Sequence, residues 1–385
     1  MNMNVLSSEK LNRHLDELAS IKPSGFPFVS LYLNTQADHH GRDNFAPFVR
    51  KEFTRQLKVL PLESPERASF ERDLDRIENY LQKELRASAN GLAVFACSGA
   101  DGFFTPIQLD VPIPENELYV ADTPQLYPLA RVADQYPKYA ALLADTDTAR
   151  VFVFDLGQTK HSDELDNTGS SLAADGVRTQ LRYRRRVDNY NLLHAKQVVQ
   201  MLDRVVQDEG AEHVILAGDE VIIPLLRAPL PPHLADKVID ILRLDIRTPE
   251  HEILRATMNA LREDNVQTDA EKVRELLDSA DNGGFVVSGL GKTMSALVNG
   301  QVDELLLTAS ADTIRIEEEP APEFAGMPAS AVSRNGRNEH SLSPDMLAGA
   351  LISLARSTGA AVTFIEDAAL LADVGGVGAF LRYRV

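Results

Sequence analysis

The chain has 385 residues, with 39 Lys and Arg against 57 Asp and Glu, a formal net charge of -18. That balance excludes non-specific attraction to a polyanion as the general binding mode. Cys97 is the sole cysteine, which excludes a disulfide framework or a cysteine zinc site within one chain. Trp is absent and aromatics are 6% of the chain, too few for a broad RNA-stacking platform.

The opening MNMNVLSSEKLNRHL lacks an apolar signal core, and no later run is long and apolar enough to span a bilayer. A cytoplasmic protein without membrane association is expected. The length suits two or three domains. Phe28 to Leu33 reads as a strand. Phe45, Phe48, Val49, Phe53 and Leu57, then Phe70, Leu74, Ile77, Leu81 and Leu85, recur at helical spacing on either side of Pro61 and Pro65. A helical hairpin packed on a sheet is expected. Leu92 to Ala96, Phe103 to Leu109 and Leu118 to Ala121 follow as strands, and the segment from Pro124 to Lys138 as a boundary.

Tyr139 to Ala144 and Arg150 to Phe154 form a hairpin through a tight turn at Asp145 to Thr148. The polar stretch from Thr159 to Gly176 predicts an exposed loop. Asp188 or Asn189 is the expected N-cap of a helix that buries Leu192, Ala195, Val198, Val199, Leu202, Val205 and Val206 and ends at Gly210. His213 to Gly218 is a buried strand. The last third alternates: helix Asp269 to Ser279, strand Phe285 to Val287, helix Lys292 to Asn299, strand Val302 to Thr308. A loop or small insertion from Glu317 to Pro344, a helix from Leu347 to Ser357, and strands at Ala361 to Ile365 and Ala379 to Tyr383 complete the chain. Gly375, Gly376 and Gly378 predict a tight turn before the last strand. The fold class is α/β with three domains, residues 1–135, 136–265 and 266–385. Each is a mixed sheet with helices, and the third is an α/β/α sandwich.

One segment departs from the acidic background. Arg178, Arg182, Arg184, Arg185 and Arg186 cluster around Gln180, flanked by Tyr183 and Tyr190. Guanidinium forks pair bidentately with phosphate oxygens, and tyrosines stack on unpaired bases. A charge run is commonly only a solvated face. The combination with aromatics favours RNA contact, with Arg178, Arg182, Tyr183, Arg184, Arg185, Arg186 and Lys196 as candidate RNA-binding residues.

Other motifs fail on their spacing. Gly289-Leu290-Gly291-Lys292-Thr293 lacks the first glycine of a phosphate loop, because position 286 is Val. Asp145-Thr146-Asp147 is not followed by the glycine and glutamate of a calcium loop. His194 has no nucleophile placed beside it and reads as a solvated helix residue. The pairs His39-His40 and Asp219-Glu220 read as surface pairs. No metal site and no cofactor are expected.

Three segments, in order, resemble a known family. Asn90-Gly91-Leu92-Ala93-Val94-Phe95 with the hairpin from Tyr139 to Phe154 is similar to the passage from first to middle domain in class-1 release factors of archaea and eukaryotes. Gly289-x-x-Lys292-Thr293-x-x-Ala296-Leu297-x-x-Gly300-x-Val302-Asp303-Glu304-Leu305 resembles their third domain, a fold similar to kink-turn-binding ribosomal proteins. Thr358-Gly359-Ala360 through Gly375-Gly376-Val377-Gly378 to Tyr383 resembles the C-terminal end of release factors and Pelota. The chain thus resembles a bacterial branch of that superfamily.

The resemblance implies a tRNA-shaped translation factor that binds the ribosomal A site. Its partners would be rRNA, the acceptor end of peptidyl-tRNA and a translational GTPase, and the protein itself a monomer. Residues Asp175 to Tyr183 stand where the family carries its Gly-Gly-Gln loop. Arg178-Thr179 replace the two glycines before Gln180, the one candidate catalytic residue. The family's codon-reading Asn-Ile-Lys-Ser run is absent from Arg42 to Lys58, which puts stop-codon reading in doubt. Three functions stay open. One is ribosome binding in hibernation or rescue. Another is peptidyl-tRNA ester hydrolysis, or tRNA cleavage, through Gln180. The third is a stress-related scaffold that does not bind ribosomes.

Overall fold

The computed structural model describes residues 6–37, 45–166, 180–315 and 343–383. The chain divides into two compact units, residues 1–135 with 268–385, and residues 136–267. The expected insertion from Glu317 to Pro344, apart from its last two residues, lies outside the described residues, as do His39 and His40.

The first unit contains two sheets. The N-terminal sheet is antiparallel, in the order β3 (Phe103–Leu109), β2 (Gly91–Cys97), β1 (Phe28–Asn34), β4 (Glu117–Ala121). Helices α2 (Phe45–Val59) and α3 (Pro65–Lys83) form the expected hairpin over it. Val49, Phe53, Phe70 and Ile77 meet Val29, Leu31, Leu33, Leu92 and Val94 in one core. The alternate residues of β1 and β2 are also buried, because the sheet is covered on both faces and so reads as a continuous apolar run.

The C-terminal sheet has the order β10 (Val286–Ser288), β13 (Val377–Leu381), β11 (Val302–Thr308), β12 (Ala361–Ile365), with only β11 and β12 parallel. The end of α8 (Glu250–Asp281) covers one face, Val273 and Leu276 packing on Val286, Leu306 and Ile365. α9 (Leu290–Val298) and α10 (Pro344–Ser357) contact β11 as well, completing the sandwich. Gly375 and Gly376 both take positive φ, 70° and 82°, in the turn before β13, a conformation open to glycine at little cost.

Gln125 links the N-terminal sheet to α10 of the C-terminal half. Gln125 donates its backbone N–H to Ser30 Oγ at 3.0 Å, and its carbonyl accepts from the Tyr32 hydroxyl. Its side-chain amide donates to the Asp345 carbonyl at the start of α10. The amide lies so close to α10 that a Cβ on Gly349 would stand 1.4 Å from Gln125 Oε1. Around this point α1 (Ser8–Ala19), not expected from the sequence, buries Leu11, Leu15 and Leu18 and packs on α10. Arg356 of α10 bonds Asn12 at 2.9 Å and Asp16 at 3.5 Å. The segment from Pro124 to Lys138, within which the chain passes from the first unit to the second, also holds a helix, α4 (Tyr127–Gln135). Its Tyr127 hydroxyl bonds the Ala309 carbonyl at 2.7 Å, and its ring meets Phe364 edge-on at 5.7 Å.

The second unit is a five-stranded sheet in the order β7 (Gln158–Asp166), β6 (Thr148–Asp155), β5 (Tyr139–Ala144), β8 (His213–Gly218), β9 (Val238–Leu242). β5, β8 and β9 are parallel neighbours, and β7 to β5 are antiparallel. The Asp145 carboxylate accepts from the N–H groups of Asp147 (2.8 Å) and Thr148 (2.7 Å), which makes the expected turn. One face packs on α5 (Gln180–Glu209), α6 (Ile222–Arg227) and α7 (Pro232–Ala235), the other on the start of α8, through Ile253, Met258 and Leu261.

Two expectations are corrected here. The first part of the predicted loop, residues 159–166, is β7: pairing with β6 supplies backbone partners that its polar composition does not advertise. The helix predicted from Asp269 is the end of α8, which begins at Glu250.

The Gln125 contact yields a stability test. Gly349→Ala should cost about 1–3 kcal/mol in urea unfolding, the usual range for overpacking. Combined with Gln125→Ala, it should cost clearly less than the sum of the two single changes. Strict additivity would show that the two positions do not meet.

Candidate RNA-facing site

The arginine cluster begins a helix rather than tipping a loop. α5 starts at Gln180, eight residues before the expected cap Asp188. Gln, Leu and Arg are strong helix formers, and their propensity extends the helix past the Asp188-Asn189 pair. Gln180, Arg182, Tyr183, Arg184, Arg185 and Arg186 therefore lie in its first two turns. Arg178 and Thr179 lie outside the described residues. Lys196 is exposed on the same helix.

α5 is held by its buried face. Ala195, Val198, Val199, Leu202, Val205 and Val206 pack into the core, as predicted. His194 is corrected: it is 1% exposed on that face and not solvated. Leu192, expected in the buried face, is 41% exposed and lies with Leu193 (58%) and Lys196 on the outer face.

The charges of α5 run against its own macrodipole. Its first turn carries no acidic residue and its last turn no basic one, whereas a helix favours anions at the N-terminus and cations at the C-terminus. At the C-terminal end other segments restore the balance. Lys138 Nζ donates to the Glu209 carbonyl at 2.8 Å, Lys237 Nζ to the Ala211 carbonyl at 2.6 Å, and Lys160 pairs with the Glu209 carboxylate at 3.3 Å. At the N-terminal end four arginines add to the positive pole. Each such cation is unfavourable by roughly 0.3–1 kcal/mol for the helix alone, and a phosphate placed there reverses the sign.

A second basic surface escapes inspection of the sequence because it is spaced helically. Arg50, Lys51, Arg55 and Lys58 are exposed on α2, while the intervening Glu52 is buried and paired with Arg55 at 2.6 Å. Helical spacing of the cations, with apolar residues at the complementary positions, is the signal that would have found it. The turn after α2 is fixed by Arg67, whose Nη1 donates to the Leu57 carbonyl at 2.6 Å, and by Ser64, which caps α3. It presents Leu62, 80% exposed.

Other candidates are settled by the same geometry. Gly289 is the N-cap of α9 at φ 87°, and Thr293 is fully buried, so the Gly289–Thr293 segment is a packed helix start and not a phosphate cradle. Asp219 and Glu220 are exposed, as expected; Asp219 accepts from the Val221 and Ile222 N–H groups. Among the described residues no group of three or more His, Cys, Asp and Glu is placed to hold a metal ion, and no helix is long and apolar enough to cross a membrane.

Comparison with known proteins follows the same lines. Residues 124–262 match the model of the family described as Bacterial archaeo-eukaryotic release factor family 10. A search of curated proteins finds no match. Among solved structures, the chain is similar to the archaeal translation termination factor aRF1, at 16% identity over 98% of this chain and 99% of that one, TM-score 0.28. It is also similar to Dom34 of S. cerevisiae, at 12% identity over 77% and 79%, TM-score 0.39. A third similar structure is archaeal Pelota from a ribosome-bound model with ABCE1, at 14% identity over 100% and 96%, TM-score 0.41. Through residues 124–262 the chain is thus similar to the bacterial archaeo-eukaryotic release factors.

Proposed function

We propose that this protein is a ribosome-associated translation factor that occupies the A site, in hibernation or rescue, and meets RNA with the start of α5. The observation that carries this reading is the position of the arginines. They stand within the family-matched region, at the pole of α5 where a helix already favours an anion. The exposed cations of α2 support a second RNA contact on the N-terminal domain. A net charge of -18 is compatible with this, since only the contacting surfaces need be basic. The domain limits 1–135, 136–265 and 266–385 belong to the same proposal, as do a translational GTPase as partner, a monomeric state and a cytoplasmic location.

Arg178-Thr179 in place of two glycines favours gripping RNA over ester cleavage, because close backbone approach at positive φ is costly for both residues. Hydrolysis is the second reading. Gln180 stands at the first residue of α5, where a side-chain amide and free backbone N–H groups could orient a water against the peptidyl-tRNA ester.

Cosedimentation with 70S ribosomes tests the first reading. Binding should weaken steeply with added salt, and the triple change of Arg184, Arg185 and Arg186 to Glu should reduce affinity about tenfold or more. Lys51→Glu with Lys58→Glu should give a smaller loss of the same kind. Absent or salt-insensitive association would overturn the proposal and leave the scaffold. The second reading is tested by release of labelled peptide from stalled ribosomes. Hydrolysis through Gln180 requires release by wild type and its loss in Gln180→Ala; equal release by both removes Gln180 from any mechanism.

A further inference from the structure

The sequence holds four Asn-Gly pairs, beginning at Asn90, Asn282, Asn299 and Asn335. The last lies outside the described residues. Such a pair carries its own reaction, because glycine has no side chain to shield its backbone nitrogen. That nitrogen gives up its proton and bonds to the asparagine side-chain carbonyl carbon. The carbon's bond to the amide nitrogen breaks, and ammonia leaves. Water then opens the cyclic imide at either carbonyl, giving aspartate or isoaspartate. Water is the only co-reactant. In a folded chain the rate is set by how firmly the glycine N–H and the asparagine side chain are held.

The fold restrains the three described pairs unequally. Gly91 is buried within β2, and the Asn90 amide donates to the Asp110 carbonyl at 2.6 Å. A Cβ at position 91 would stand 2.7 Å from the Val111 carbonyl oxygen, so that backbone is closely packed. Asn299 ends α9, and the Gly300 N–H donates to the Leu297 carbonyl at 3.0 Å. The Asn299 carbonyl also accepts from the Tyr383 hydroxyl at 3.3 Å. Asn282 and Gly283, by contrast, are both exposed just beyond the last residue of α8. The Gly283 N–H meets the Ala280 carbonyl at 3.4 Å, longer than the usual range for such a bond. A Cβ at position 283 would meet nothing within 4 Å, so the nitrogen stands in open space.

We propose that Asn282-Gly283 is a site of spontaneous deamidation, and that the acidic product loosens the last turn of α8 and the edge strand β10. The inference does not rest on the ribosomal reading.

The consequence follows from what the amide does in the fold. Asn282 Nδ2 donates to the Asp278 carbonyl at 2.8 Å, beside the 3.2 Å bond from the N–H of Asn282 itself. Deamidation replaces that donor with a carboxylate oxygen, which the carbonyl repels. The new charge falls at the negative pole of α8, whose last turn carries no basic residue to offset it. The isoaspartyl product also lengthens the main chain by a methylene, immediately before the turn-closing bond from the Gly284 N–H to the Ser279 carbonyl at 2.6 Å. Gly284 leads straight into the sheet. Its carbonyl accepts from the Val286 N–H at 2.9 Å, and the Phe285 carbonyl accepts from the Leu381 N–H at 2.8 Å. β10 is an edge strand of three residues paired with β13, so a disturbed turn passes directly into it.

Incubation of the folded full chain at mildly alkaline pH, then trypsin cleavage and mass spectrometry, tests the site. Asn282, Asn299 and Asn90 fall in separate peptides, residues 275–292, 293–315 and 87–131. The first should gain the acid form about fivefold faster or more than either of the others, the factor that one hydrogen bond supplies. Electron-transfer fragmentation should show both aspartate and isoaspartate at position 282. In concentrated urea, where the folded restraints are gone, the three rates should converge. Asn282→Asp installs one product directly. It should lower amide-exchange protection in residues 279–288 about fivefold, with residues 136–267 unchanged. Equal rates in the folded chain, a difference that persists undiminished in urea, or unchanged protection in Asn282→Asp would each overturn the proposal. The rate comparison uses the wild-type chain alone and stands even if the Asp variant does not fold.

Discussion

The arrangement of the first unit rests on Gln125. Its backbone is fixed to β1 at both ends, through Ser30 Oγ and the Tyr32 hydroxyl, so its side chain has one direction to take. That direction is into α10, where a glycine at 349 leaves room and the Asp345 carbonyl accepts the amide. A buried amide left unpaired would cost about 1–3 kcal/mol, so this side chain specifies the docking of two sheets and does more than fill space. Apolar burial of α1 and the Arg356 contacts then add area around a point already defined.

The consequence reaches the chain connections. With the N-terminal and C-terminal sheets held in one unit, the middle unit is entered and left through residues 135/136 and 267/268 alone. Beside these passages Arg131 pairs with Glu366, whose N–H donates to Asp269. Burial, which makes a charged carboxylate costly, raises the proton affinity of Asp134 and of Asp269.

The middle unit concentrates charge in a different way. α5 is anchored along one face by aliphatic residues and at its C-terminal end by lysines from other segments. Its N-terminal turns are loaded with arginines that the helix itself disfavours. An arrangement that lowers the stability of an isolated helix, and that a phosphate would neutralise, is what the proposed RNA contact would use. Departure from local consistency at such a place is what functional sites commonly show.

Much of this was legible in the sequence. Alternation and apolar runs located most of the strands, because a strand buried on both faces must be apolar throughout. Helical spacing from Phe45 to Leu85 located the α2–α3 hairpin, and Gly375-Gly376 the turn that needs positive φ. The arginines stood out by composition alone. The start of α5 at Gln180 rather than Asp188 was open to local helix propensity, which outweighed a plausible cap. Two things were decided only by tertiary structure. The polar residues 158–166 became β7, since the partner strand and not the side chains supplied the stabilising hydrogen bonds. Gln125, Asp134 and Asp269 acquired their roles from neighbours far away in the chain, because a polar side chain carries no local signal of the environment into which folding will bury it.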